Sequence, residues 1–177
     1  MALISIPDKN VVIEDFSEIS DFLNSRGIFI EKWSTPQKIA EGDSQEKILA
    51  AYEHKLKPFM TKNDFKSADV VHIHKNIKDI EKIRQKFLQE HTHSENEVRF
   101  FVDGKGVFWF HQEGEVFSVL CEKVDFISVP QGVKHWFDIA PDYFVVAIRI
   151  FTSTEGWTPL YTQSKIEQKY IKDSISE

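Results

Sequence analysis

Four residues have the types and spacing to hold a metal ion: His91, His93, Glu97 and His135. The first three lie in Glu90-His91-Thr92-His93-Ser94-Glu95-Asn96-Glu97, and the fourth follows Pro130-Gln131-Gly132. Alternate side chains of a strand share a face, so His91 and His93 point the same way. Glu97 rejoins them after a short bend over 94–96, and His135 arrives from another strand. Three neutral imidazoles and one carboxylate suit a borderline divalent ion such as Fe, Ni, Co, Mn or Zn. Four protein ligands on an octahedral ion leave two adjacent positions for a chelating guest. A structural zinc site is instead closed and tetrahedral, and is usually built with cysteines.

A second His-x-His, in Val70-Val71-His72-Ile73-His74, serves as an internal control. Val71 and Ile73 are expected inward there, which turns His72 and His74 to solvent with no matching carboxylate. His54 and His111 read as surface or strand-end residues. The single cysteine, Cys121, sits in a strand interior and reads as a buried, inert thiol. One cysteine excludes an intrachain disulfide framework and fits a reducing compartment.

Two arginines occupy positions that are odd for a charge. Arg99 has the parity of Glu97 and points into the same cavity, where a guanidinium is costly unless it meets an anion. That anion is either a substrate or a structural partner, Glu95 or Asp125. Arg149 lies mid-strand in Val145-Val146-Ala147-Ile148-Arg149-Ile150-Phe151 and is read equally as substrate contact or ligand support. Phe87, Phe101, Phe137 and Trp157 are the candidate walls of an apolar pocket, although aromatics in strands also fill cores. Trp136 alternates away from His135 and reads as packing.

The elements that carry these residues divide the chain into a helix-leaning front, about 1–90, and a strand-rich back, about 91–160. Ser17 is the expected cap of a helix over Glu18–Arg26, with Gly27 just past its end. Ile28–Trp33 reads as a short strand. Asp43 or Ser44 opens a second helix with Ile48, Leu49, Tyr52 and Leu56 on one stripe, and a third runs over about Ile80–Gln89. Strands are then expected over Val98–Val102, Val107–His111, Val116–Leu120, Phe126–Val129 and Tyr143–Phe151. Turns are expected at Asp103-Gly104, Gln112-Glu113-Gly114, Pro130-Gln131-Gly132 and Ala140-Pro141-Asp142. Short strands at this spacing indicate an antiparallel sandwich or barrel. The polar stretch Lys165–Glu177 is read as a terminal helix or a frayed tail.

The 177 residues fit one domain, with 41% hydrophobic residues to fill a core. A net charge of −6 without a basic block argues against nucleic acid as a partner. No stretch approaches about 18 consecutive apolar residues, and the amino terminus lacks a basic region followed by an apolar run. The expectation is a soluble, cytoplasmic monomer that does not engage a membrane.

His91-x-His93-x-x-x-Glu97, followed by six residues and Gly104, matches the first cupin motif, and Pro130-x-Gly132-x-x-His135 matches the core of the second. The resemblance narrows with Glu90-His91-Thr92-His93, Glu97-Val98-Arg99-Phe100-Phe101, His135-Trp136-Phe137-Asp138, Ala147-Ile148-Arg149-Ile150-Phe151 and Glu155-Gly156-Trp157. Together these resemble the bacterial acireductone dioxygenases, from about Phe87 to Trp157 and more loosely through Gly27–Trp33 and Ile48–His54. The resemblance implies a mainly β cupin barrel, a double-stranded β-helix or jelly roll, with a few helices toward the amino terminus. It implies one Fe(II) or Ni(II) per chain and oxidative cleavage of 1,2-dihydroxy-3-keto-5-methylthiopentene by O2 in methionine salvage. Iron gives 4-methylthio-2-oxobutanoate and formate, whereas nickel gives 3-methylthiopropionate, formate and carbon monoxide. Arg99 then faces the substrate enolate, and the aromatic residues wall its methylthio tail.

Two departures from the family pattern stand out. The second motif normally opens with Gly-Asp and closes with Asn, where this chain has Val124-Asp125 and Ile139. An acidic residue is expected just before the glutamate ligand, where Asn96 stands. Asn cannot act as a base, so Asn96 adjusts ligand geometry or Glu95 takes over the proton chemistry. Another metal-dependent cupin, such as an isomerase or other dioxygenase, and a non-catalytic ligand-binding cupin are the competing readings.

Overall fold

The structure, a computed structural model, describes residues 2–40, 42–153 and 156–171. Eleven strands lie among them: β1 (Leu3–Ile6), β2 (Val11–Ile13), β3 (Phe29–Lys32), β4 (Ser67–Ile73), β5 (His91–Thr92), β6 (Glu97–Gln112), β7 (Glu115–Glu122), β8 (Asp125–Val129), β9 (Lys134–Asp138), β10 (Val145–Phe151) and β11 (Leu160–Tyr161). Four α-helices accompany them: α1 (Phe16–Asn24), α2 (Gln45–Ala51), α3 (Glu53–Asn63) and α4 (Ile80–Leu88). None is long and apolar enough to cross a membrane.

Strand β6 organises the barrel because it belongs to both antiparallel sheets. Its first part pairs with β8 and β10, and its second with β7 and β9. One sheet runs β4-β10-β6-β8-β3, and the other β2-β1-β7-β6-β9-β5-β11. The expected turn at Asp103-Gly104 is therefore not a turn, and the two strands foreseen on either side of it are one. A register shift between Val146 and Ala147 of β10 leaves an extra residue in β6 there, which bends the strand without ending its ladder. Gly104 takes φ +71°, and a Cβ at that position would lie 2.1 Å from the Phe144 carbonyl oxygen. Only glycine fits.

Alternation along β6 sets the two faces. Val98, Phe100 and Val102 face outward into a cluster with Trp33, Ile48, Tyr52 and Leu56, so α2 and α3 cover an apolar sheet face. Glu97, Arg99 and Phe101 have the opposite parity, and Phe101 joins Phe108, Phe110 and Phe137 in the other core cluster. Trp109 and Trp136 stack on the outside of the second sheet, 5.7 Å apart, as expected of Trp136.

The chain ahead of the ligands contributes more strand than its patterning suggests. β1 pairs with β7 and with β2, while β4 pairs with the full length of β10. Ile73 at the end of β4 is buried, while His72 before it and His74 just after the strand are exposed, as the alternation requires. Helix α1 is capped not by Ser17 but by Asp15, whose carboxylate accepts from the Ser17 and Glu18 amides at 2.9 and 3.0 Å. A charged cap satisfies two amide donors at once. Ser44 caps α2 as foreseen, and the stripe continues into α3 across a break at Tyr52. Of the polar tail, Ile166–Lys169 forms a 3-10 turn beside Trp109 and Trp136, and 172–177 lie outside the described residues.

Glu113 and Gly114 join β6 to β7 with φ of +52° and +80°, the pair of left-handed residues that a tight hairpin requires. Val124, between β7 and β8, also takes a left-handed φ of +74°. A β-branched residue is strained there, and this is where the cupin motif carries glycine. Val124→Gly is expected to stabilise the protein by about 1 kcal/mol, because relief of strain exceeds the added chain entropy of glycine. Urea unfolding checks this, and an unchanged or lower midpoint would contradict it.

Candidate metal centre

His91 and His135 stand opposite each other on β5 and β9, and His93 follows at the end of β5. Glu97 opens β6 beside them. One nitrogen or oxygen of each residue lies within 4.8 Å of the others, and all four side chains are buried. Glu97 Oε2 sits 3.1 Å from His93 Nε2 and 3.0 Å from His135 Nε2. The ligand atoms converge.

Each imidazole is fixed from behind by a backbone carbonyl. His91 Nδ1 donates to Gln89 O at 2.7 Å, His93 Nδ1 to Thr158 O at 3.0 Å and His135 Nδ1 to Val133 O at 2.8 Å. A carbonyl can only accept, so each Nδ1 carries the proton and each Nε2 offers its lone pair inward. Three oriented nitrogens and a carboxylate oxygen fit a divalent ion. The bend over 94–96 is held as well: the Gly132 amide donates to His93 O at 2.9 Å, and the Gln131 amide to Asn96 Oδ1 at 3.0 Å. The turn before His135 is thereby tied to the segment that carries the other three ligands.

Burial and neighbouring charge set the protonation states. Burial, aided by His135, pushes the His91 imidazole down to about 4, so it is neutral across the physiological range. Burial is the largest influence on His93 and works against its charged form. The hydrogen bond to Glu97, that carboxylate's charge and the Thr158 carbonyl together outweigh it and raise its pKa. Glu97 is fully enclosed, which alone would raise its carboxyl. Arg99, His135 and His93 reverse that and hold it well below the usual carboxylate range.

A cavity of about 610 Å³ opens onto the four ligands. Phe87, Phe137, Trp157, Arg99 and Arg149 line it. Phe101, expected in its wall, is instead fully enclosed in the core, with its ring centroid 6.4 Å from that of Phe137, and does not border the cavity. Asn96 does not border it either. Arg99 pairs with neither Glu95 nor Asp125. Its Nη2 donates to Glu97 Oε1 at 2.8 Å, while Asp125 takes Lys32 at 2.7 Å. The Arg99 Nε–H is buried with no partner among the described residues, as is the indole N–H of Trp157. Cys121 is buried and its thiol is pushed well up by burial, as expected of an inert residue.

Three supporting residues escaped sequence reasoning. Asp69 of β4 holds Arg149. Glu90 is buried behind His91 and accepts from Thr162 Oγ1, Ser164 Oγ and His111 Nδ1 at 2.5, 2.8 and 2.7 Å. Thr158 supplies the carbonyl for His93. The parity of Glu90, opposite to that of His91, was the available signal. His111, read as a surface or strand-end residue, stands one residue from the end of β6 and is half-buried in that cluster. Glu155 of the resembling run lies outside the described residues.

A β-barrel with a buried centre of three histidines and one carboxylate, open to a cavity, defines a metal-binding cupin. The family model described as the ARD/ARD' family matches residues 8–159, and this chain belongs to that family. It is 57% identical over 159 residues to an acireductone dioxygenase of Picosynechococcus sp., covering 89% of this chain and 90% of that one. To an acireductone dioxygenase of Hahella chejuensis it is 46% identical, covering 90% and 85%. Among solved structures it is similar to acireductone dioxygenase from Bacillus anthracis with a cadmium ion in its active center. The TM-score is 0.83 and the identity 34%, covering 91% of this chain and 98% of that one.

The raised pKa of His93 gives metal uptake a pH dependence. When His93 is protonated an incoming ion must displace its Nε2 proton, whereas His91 has none to lose above about pH 5. Affinity is expected to fall on acidification through the His93 pKa, with proton release per ion rising in the same window and vanishing well above it. Calorimetry in buffers of different ionisation enthalpy measures both, and a flat proton count would contradict the assignment.

Proposed function

We propose that this protein is a metal-dependent dioxygenase that cleaves 1,2-dihydroxy-3-keto-5-methylthiopentene with O2, using one Fe(II) or Ni(II) held by His91, His93, Glu97 and His135. The observation that carries this reading is the convergence of four ligand atoms on a cavity with the unpartnered Arg99 Nε–H. A divalent ion held by these four residues would supply Lewis acidity to the substrate's oxygens and favour its ionised enediol.

The chain's own residues supply the rest. Glu97 divides its work, with Oε2 directed to the ion site and Oε1 to Arg99. Arg99 brings a positive charge into a dry interior, which favours the doubly deprotonated enediol over the neutral one. Its guanidinium lies 4.5 Å from the Phe137 ring centroid and 5.6 Å from that of Trp157, so aromatic faces hold it in place. Phe87, Phe137 and Trp157 form the apolar wall that takes the methylthio tail and keeps water from the reacting carbons. Asn96 is a positioning residue in this reading, since its carboxamide oxygen is occupied by the Gln131 amide.

Iron would direct the reaction to 4-methylthio-2-oxobutanoate and formate, and nickel to 3-methylthiopropionate, formate and carbon monoxide. The same ligand set serves both, so the ion supplied selects the products. The reading has the whole chain acting as a single domain, a cytoplasmic monomer in methionine salvage. The buried free thiol of Cys121 is in keeping with that compartment.

His93→Ala and His135→Ala are expected to lose bound metal and oxygen uptake together, while His72→Ala leaves both unchanged. Metal analysis and oxygen consumption with the acireductone measure this, and equal damage from His72→Ala would move the site to the other pair. Arg99→Ala should keep its metal but lose at least about 100-fold in turnover, the scale for removal of one oriented donor. Unchanged kinetics would make Arg99 structural only. Wild-type protein that binds metal without any oxygen uptake would favour a different cupin chemistry.

A further inference from the structure

Strand register sets three charges in a row across the barrel wall. Asp69 of β4 stands opposite Arg149 of β10, and Arg149 stands opposite Arg99 of β6. Like charges directly opposite each other destabilise a sheet unless each finds a counter-ion. Arg99 finds Glu97 inside, and Arg149 finds Asp69 at the cavity mouth. That outer pair is bidentate: Arg149 Nε and Nη2 reach both Asp69 oxygens at 2.8 and 2.6 Å. Both side chains line the cavity and remain about one-third exposed, at 34% and 37%, so solutes can reach them.

A guanidinium fork at the mouth of an apolar pocket is what a small carboxylate binds. Here that fork is already filled by a carboxylate of the protein. We propose that Asp69 is a specificity-determining residue: it occupies Arg149 as a resident carboxylate and so excludes monocarboxylates from the cavity. Within this row Asp69 and Glu97 balance Arg149 and Arg99, and Lys86 adds one positive charge to the cavity lining. Without Asp69 one guanidinium is left over. The idea deepens the dioxygenase reading in one respect, since carboxylates are what that reaction releases and would otherwise linger. Carboxylate binding itself is measurable without turnover.

The test titrates propionate into metal-loaded wild-type, Asp69→Asn and Asp69→Glu proteins at fixed ionic strength, by calorimetry. Asp69→Asn should tighten the propionate Kd at least tenfold, and Asp69→Glu should keep the weak wild-type value. Asp69→Ser, neutral and smaller, should tighten it likewise. Adding Arg149→Gln to Asp69→Asn should abolish the gain. A purely structural ion pair predicts the opposite sign, a less stable protein with no better binding. Unchanged or weaker propionate binding in both neutral variants would overturn the proposal. Absence of acireductone turnover in the wild type would instead strike the dioxygenase reading and leave the propionate comparison to decide this one.

Discussion

The structure depends on three hydrogen bonds in which an imidazole Nδ1–H meets a backbone carbonyl. An unrestrained imidazole can offer either nitrogen and can rotate about two bonds. Each carbonyl removes both freedoms, fixing the tautomer and aiming Nε2 at a common point. Two of these acceptors, Gln89 and Val133, lie two residues before the histidines they orient. The third, Thr158, comes from the far end of the chain. The segment leading into β11 is thus part of the metal centre, and it also carries Trp157 to the cavity wall.

Placing charge inside a barrel is expensive, and the arrangement around Glu97 offsets that cost locally. A buried carboxylate alone would be protonated; here Arg99 on one oxygen and two imidazoles near the other keep it ionised. Arg99 is stabilised in turn by that carboxylate and by three aromatic rings within 6 Å of its guanidinium carbon. Glu90 solves the same problem behind the centre. Three hydrogen-bond donors outweigh its burial and keep its carboxyl below the usual range. A second buried ion pair, Arg84 Nε to Asp138 Oδ1 at 2.7 Å, links α4 to the end of β9. Phe87 on α4 is thereby held against the strand that carries His135 and Phe137.

Much of this was legible from local pattern, and the exceptions share a cause. Period-two alternation revealed which face His91, His93 and Arg99 take, and it separated them from His72 and His74. The hairpin at Glu113-Gly114 and the cap at Ser44 followed from residue chemistry alone. Asp103-Gly104 misled because the same dipeptide serves a hairpin turn or a bulge, and only pairing with β10 decides between them. Phe101 misled for a related reason: correct parity brings a side chain to the barrel interior, not to the part of it that is open. Strands β1 and β2 went unread because they are short, and their value lies in a distant partner, β7.

The sequence by itself determined the ligand types, their shared face and the barrel class, because these rest on side-chain chemistry and on the two-residue repeat of a strand. Tertiary structure alone decided that Arg99 meets Glu97, that Asp69 meets Arg149 and that Thr158 orients His93. Two of those three contacts join residues far apart in the chain, and the third is chosen among several nearby carboxylates. The two distant contacts are set by register and closure of the barrel, which no local periodicity encodes. The two-residue repeat already puts Arg99 on Glu97's face, and tertiary structure only removes Glu95 and Asp125 as its partners.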